Sequence, residues 1–114
     1  MIHQMTLQPE PFELIASGNK TIELRLYDEK RRLIHTGDRI IFRCCTDRQK
    51  QLVVEVIALY PFGSFRELYE KLPLLQCGYT VDNVMSASPE DMLAYYPLER
   101  QKLYGVLGIE IRLV

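Results

Sequence analysis

Gly18-Asn19-Lys20-Thr21-Ile22-Glu23-Leu24-Arg25-Leu26, residues 18–26, joins a glycine able to stop a helix to six residues that alternate without a break. Side chains on a strand point to opposite faces in turn, so Ile22, Leu24 and Leu26 share one face and Thr21, Glu23 and Arg25 the other. The pattern predicts a half-buried strand. Immediately upstream, Pro11 suits the first turn of a helix, and Phe12, Ile15 and Ala16 follow at i, i+3, i+4 spacing before Gly18 ends it. Residues 1–7 then read as a short opening strand, cut off by Pro9 and Pro11.

Downstream, residues 27–36 are charged, and Gly37-Asp38 marks a turn before a second alternating strand over residues 39–44, with Ile40 and Phe42 on one face. Residues 46–51 are polar. Residues 52–60 form a nearly continuous apolar run rich in β-branched side chains, which predicts a central strand covered on both faces. After Pro61-Phe62-Gly63, the sequence Ser64-Phe65-Arg66-Glu67 has the form of a capping box, and Phe65, Leu68, Tyr69 and Leu72 make a helical stripe that Pro73 stops.

Residues 74–87 have no sustained period and read as an ordered loop or lid carrying Cys77 and Tyr79. Ser88-Pro89-Glu90-Asp91 combines a capping residue, a first-turn proline and acids, predicting a third helix that ends at Tyr95. The last strand is expected to turn Leu107, Ile109, Ile111 and Leu113 inward and Val106, Gly108, Glu110 and Arg112 outward, with Tyr104 at its opening. Short strands interleaved with three short helices, on connections too short for repeated crossovers, favour an α+β fold over a doubly wound sheet.

A chain of 114 residues, 47% of them hydrophobic, can bury one sizeable core but hardly two, so residues 1–114 are expected to form a single domain. Lys and Arg number 14 against 15 Asp and Glu, a net charge of -1 that lacks the field of a protein coating nucleic acid nonspecifically. Any such role must be local. Residues 1–50 hold nine basic and seven acidic groups and residues 51–114 hold five and eight, so the basic side is the N-terminal half. Cys44, Cys45 and Cys77 do not form a disulfide framework, since they are odd in number and the first two are adjacent. No leader pattern and no run of about 18 apolar residues appears, so a cytoplasmic location without membrane association is expected.

The stretch from Gly18 to Arg25 resembles the Gly-x-Lys-x-x-Glu-x-Arg signature of the ASCH domain, the activating-signal-cointegrator homology family. The resemblance extends to the Pro11-Phe12 to Ile15 helix, to Gly37-Asp38-Arg39-Ile40-Ile41-Phe42, to the helix after Ser64, and to Tyr104-Gly105-Val106-Leu107-Gly108-Ile109, covering essentially the whole chain. It implies a small PUA-like β-barrel of mostly antiparallel strands with about three short peripheral helices, and a cleft edged by Lys20, Glu23 and Arg25 that binds RNA, a nucleotide or a modified nucleoside.

On a strand, Glu23 and Arg25 project from one face about 7 Å apart, with Lys20 at the helix-to-strand junction. Together they offer a carboxylate acceptor for an exocyclic amine, a planar donor fork and a mobile cation. The bland alternative is a solvated strand face. Lys30, Arg31 and Arg32 are three consecutive cations suited to backbone phosphates, against the alternative of a solvated loop diluted by Asp28 and Glu29. Of the tyrosines, Tyr79 and Tyr104 are the better candidates for stacking a base, the rest being assigned mostly to the core.

His3 and His35 are far apart and no Cys-x-x-Cys or His-x-x-x-His occurs, so no metal is expected; no glycine-rich phosphate loop occurs either, so no nucleotide cofactor is expected. Some ASCH-like proteins are amidohydrolases of N4-acetylated cytidine, and ribonuclease activity is ascribed to others. The amidohydrolase set is lysine, threonine and glutamate. Lys20 matches the lysine, but Glu23 stands in the threonine's place and residues 73–79 contain no acid. As an enzyme the chain would rely on Glu23 to activate water and Lys20 to steady the developing anion. A third reading is a protein-interaction or regulatory domain presenting aromatics from residues 74–96.

Overall fold

In the computed structural model, which describes residues 1–114, the alternating segments become five strands: β1 (Ile2–Leu7), β2 (Ile22–Leu26), β3 (Arg39–Cys44), β4 (Asp47–Phe62) and β5 (Val106–Leu113). Three α-helices accompany them: α1 (Pro9–Ala16), α2 (Phe65–Lys71) and α3 (Leu98–Tyr104). The sheet order is β1-β3-β4-β5-β2, with β1 and β3 parallel and the other three pairings antiparallel.

The 16-residue β4 organises this sheet, because its first part pairs with β3 and its second with β5. A register shift between Val56 and Ala58 marks where the ladder with β5 adjusts, and such bulges bend and twist a strand. The sheet curls into a half-barrel, bringing its edge strands β1 and β2 near one another. No backbone ladder joins them. Instead the Arg25 guanidinium on β2 donates to the Thr6 carbonyl on β1 at 2.8 Å, and Lys30 donates to the Gln4 carbonyl at 2.7 Å.

Both faces of the curl are covered. One cluster gathers Met5 and Leu7 of β1, Phe12 and Ile15 of α1, Ile40 and Phe42 of β3, and residues of β4 and β5. The second packs Ile22, Leu24, Leu26 and Val106 against Phe65 and Leu68 of α2, with Cys77 and Met92. Each fully buried Phe, Leu or Ile stabilises by about 1.5–3 kcal/mol, so both clusters matter to the fold.

Several expectations need correction. α1 begins at Pro9, not Pro11, because proline at the first helical position loses no hydrogen bond. β4 starts five residues before the apolar run, its polar end forming a hairpin with β3 through a ladder that needs no apolar side chains. It is central, yet only Val54 and Val56 on one face are buried, and the alternate residues are half-exposed. In β5, Val106 and Gly108 are buried by the second cluster, whereas Leu113 is exposed at the chain end.

Residues 74–87 are irregular, with short 3-10 turns at Leu74–Gln76 and Val84–Ser86. The helix expected after Ser88 forms as a 3-10 segment, Pro89–Ala94, although its capping box with Ser88 and Asp91 is complete. Pro97 disfavours α geometry at the residue before it, limiting extension of that segment. The third α-helix lies later, over Leu98–Tyr104, so Tyr104 closes a helix where a strand opening was expected.

Candidate functional site

α1 ends at Ser17, and Gly18 takes a φ of 81°, a left-handed turn open to glycine at little cost. The Lys20 amide then donates back to the Leu14 carbonyl, and the Thr21 amide donates to the Gln76 carbonyl of the irregular segment. Lys20 is therefore fixed where helix, strand and loop meet. Gly78 lies beside it, where an added Cβ would make ordinary contact 3.4 Å from the Lys20 side chain, but at a φ of 114° that other residues rarely adopt.

Glu23 pairs with Ile109 and Arg25 with Leu107 across β2 and β5. Ile109 and Leu107 belong to the first core cluster, so Glu23 and Arg25 face that interior, at the seam between β2 and β1, and not solvent. Glu23 is only 4% exposed. Lys20 Nζ lies 2.8 Å from its Oε1 and Arg25 Nε 2.8 Å from its Oε2, while the Leu24 amide donates to Oε1 at 3.3 Å. These contacts form a buried ion triad carrying one net positive charge.

Burial pushes the Glu23 carboxyl up, but attraction to Lys20 and Arg25, reinforced by their hydrogen bonds, outweighs it and brings the group down to about 2. Asp38 is held at about 2 as well, chiefly by the hydrogen bond from His3 and by the His35 amide. A carboxylate depressed in the folded state stabilises it above the unfolded value and loses that contribution as pH falls through the folded one. Unfolding free energy measured in urea is thus expected to be flat from neutrality to about pH 5. It should fall between 4.5 and about 2, Glu23 alone contributing on the order of 3 kcal/mol. A flat profile down to pH 2 would contradict the triad.

Beside the triad opens a cleft of about 390 Å³, within the usual range for small-molecule sites. β1 and α1 form one wall through Thr6, Glu10 and Leu14, β2 forms the floor, and the irregular segment supplies Cys77, Tyr79, Asp91, Tyr95 and Tyr96. Tyr69 and Tyr79 hydroxyls lie 2.8 Å apart, and Tyr79 donates to Asp91 Oδ2 at 2.7 Å. Burial, joined by the hydrogen bonds to Tyr69 and Asp91, drives the Tyr79 phenol far above its ordinary value. Burial also pushes the Cys77 thiol up to about 11, so it stays protonated and weakly nucleophilic at neutral pH.

Of the candidates read from sequence, Lys20, Glu23, Arg25 and Tyr79 come together in this cleft. Tyr104 does not line it: its ring lies near the Arg100 guanidinium and its carbonyl accepts from Arg32. None of the three consecutive cations lines the cleft either. Lys30 reaches β1, Arg31 pairs with Asp28 at 3.0 Å, and Arg32 stacks 4.1 Å over Tyr27. Tyr95 and Tyr96 are cleft residues that periodicity did not single out, because they follow a 3-10 segment with no helical face to read. No group of three His, Cys, Asp or Glu side chains converges as a metal site, and no helix is long and apolar enough to cross a membrane.

Tyr69, Tyr79, Tyr95 and Tyr96 line the cleft, and the floor presents a fixed carboxylate between two cations. Arg25 uses two of the five N–H donors of a guanidinium, on Glu23 and Thr6. The other three make no hydrogen bond within the protein.

A family model for the ASCH domain matches residues 5–114. The crystal structure of the hypothetical protein PH0355 is similar with a TM-score of 0.82 and 41% identity, covering 100% of this chain and 100% of that one. The solution NMR structure of protein PF0455 from Pyrococcus furiosus gives a TM-score of 0.73 and 37% identity, covering 100% and 98%. The crystal structure of ASCH from Zymomonas mobilis gives 0.66 at 16% identity, covering 97% of this chain and 66% of that one, a likeness of fold alone. None of the curated proteins compared matches significantly. These likenesses bear out the α+β, PUA-like architecture read from the sequence.

Proposed function

Because this chain belongs to the ASCH domain family, we propose that it binds RNA or a nucleotide, taking one base into the cleft beside Lys20, Glu23 and Arg25. The observation that carries this reading is the buried triad at the floor of an aromatic-walled cleft. Buried ion pairs are an uneconomical way to stabilise a fold, since apolar residues of similar size do as well or better, so the triad calls for another reason to be there. A carboxylate held ionised accepts from the exocyclic amine of a base, the arginine fork supplies donors to a ring edge, and the tyrosines supply stacking surface.

The same geometry favours binding over hydrolysis. A general base works best when its pKa lies near the operating pH, whereas the Glu23 carboxyl is brought down to about 2. The buried Cys77 thiol is protonated. The amidohydrolase reading therefore lacks an activated base as well as its threonine and its glutamate.

Tyr95 offers a clean test, being 61% exposed at the cleft and so dispensable to the core. Stacking one base is worth about 1–3 kcal/mol, so Tyr95→Ala should weaken binding of a labelled single-stranded RNA by about tenfold in fluorescence anisotropy, with the RNA intact afterwards. Absence of binding by the wild type, or affinity indifferent to both Tyr95→Ala and Lys20→Met, would sink the proposal. RNA cleavage that Lys20→Met abolishes would replace it with a hydrolytic one.

A further inference from the structure

Arg25 and Thr6 line a second hollow as well, on the far side of the seam from the aromatic wall. This hollow, about 270 Å³, has eight lining residues, five of them the cations Arg25, Lys30, Arg31, Arg43 and Arg48 and none of them acidic. β1 supplies Gln4, Met5 and Thr6, β2 supplies Arg25, and the other cations come from three further segments. Lys30 and Arg31 follow β2, Arg43 lies on β3 opposite Thr6 of β1, and Arg48 comes from the hairpin end of β4.

Within the hollow Arg25 meets Glu23 and Arg31 meets Asp28. Lys30, Arg43 and Arg48 have no carboxylate within 4.0 Å. Lys30 and Arg43 settle for neutral oxygens of Gln4, its carbonyl and its side chain. Arg31 Nε is buried with no acceptor at all, the one such atom in the chain. Buried donors without partners are rare in folded proteins. Burial and the neighbouring Arg31 and Arg25 charges also push the Lys30 ammonium down, as expected where like charges are crowded.

We propose that this groove seats a phosphate of the ligand whose base enters the cleft, so that the ligand is a nucleotide or an RNA strand and not a free nucleoside. The identity of the whole ligand rests on the base-binding reading above, while the anion affinity of the groove does not. Arg25 stands between the two hollows, its Nε engaged by Glu23 and its Nη2 by Thr6, and joins base and phosphate subsites into one path across the seam. Clustered arginines are the residues best matched to phosphate oxygens.

The test titrates the protein with the four common ribonucleosides, their 5′-monophosphates, pyrophosphate and a short mixed-sequence RNA, following the arginine Nε–H signals by NMR. The expected result is saturable movement of the Arg43 and Arg48 signals with pyrophosphate and with a phosphate-bearing ligand, which binds about 10–100-fold tighter than its nucleoside. Arg48→Glu, at an exposed position, should abolish that difference and leave nucleoside affinity unchanged; Arg43→Ala should reduce it. A monophosphate that suffices points to a free nucleotide, and a requirement for the strand points to an internal phosphodiester; both support the groove. Nucleosides and phosphates binding alike, with the arginine signals still, would overturn the groove and leave the cleft standing. Pyrophosphate moving the groove signals while no base binds would retire the cleft reading instead, and no binding of any of these ligands would end both.

Discussion

Glu23→Ala should lower the unfolding free energy by about 3–5 kcal/mol, among the largest effects of any single substitution in this chain. The size follows from what stays behind. Lys20 and Arg25, with side chains only 10% and 12% exposed, would face each other across the emptied site with no carboxylate between them. Two desolvated cations without a partner cost far more than the pair they formerly made was worth. Chemical denaturation at pH 7 measures this directly. A loss below about 1 kcal/mol would mean that water reaches the triad freely and that its burial has little energetic consequence.

The second large effect separates folding from function. Replacing the whole triad by apolar residues of similar size, Lys20→Met with Glu23→Leu and Arg25→Met, removes every buried charge at once. Stability should return to within about 1–2 kcal/mol of the wild type, because apolar replacements of buried ion networks are commonly neutral or better. RNA affinity should nonetheless fall by about 100-fold or more, since several charge-assisted hydrogen bonds would be lost together. Denaturation and anisotropy on the same preparation give both numbers. A triple variant that still binds RNA with full affinity would show that the charged floor takes no part in recognition, whatever its value to the fold.

The strand content of the chain was legible because alternation survives wherever one face meets a core, as in Ile40 and Phe42 of β3 and Leu107, Ile109 and Ile111 of β5. The Ser64 cap of α2 was legible too, its hydroxyl accepting from the Glu67 amide as the local sequence requires. α3 was not, for a specific reason. Its leucines Leu98 and Leu103 are exposed, and its one buried side chain is the polar Gln101, which donates to the Tyr96 carbonyl at 2.9 Å. A helix docked by a glutamine leaves no apolar stripe to find.

At the site, the signature residues Lys20, Glu23 and Arg25 were identifiable, but their surroundings were not. Period-two reading turned Glu23 and Arg25 toward solvent because it assumes a strand with one dry face. β2 has two, one under α2 and the other at the seam of the curl. The tyrosines reach the cleft through residues 74–96, where 3-10 turns and loops impose no repeat that could show which ring points inward.

The seam also bears on how molecules of this protein behave toward one another. An edge strand with bare carbonyls is a template for intermolecular strand pairing, and natural sheets guard such edges with charge. On β1 the guard is provided by Arg25 and Lys30, which occupy the Thr6 and Gln4 carbonyls that a neighbouring chain would otherwise use. Arg25 and Lys30 thereby keep the half-barrel from extending into a second molecule. Their removal would leave a self-adhesive edge, so side chains that line the two hollows also limit self-association.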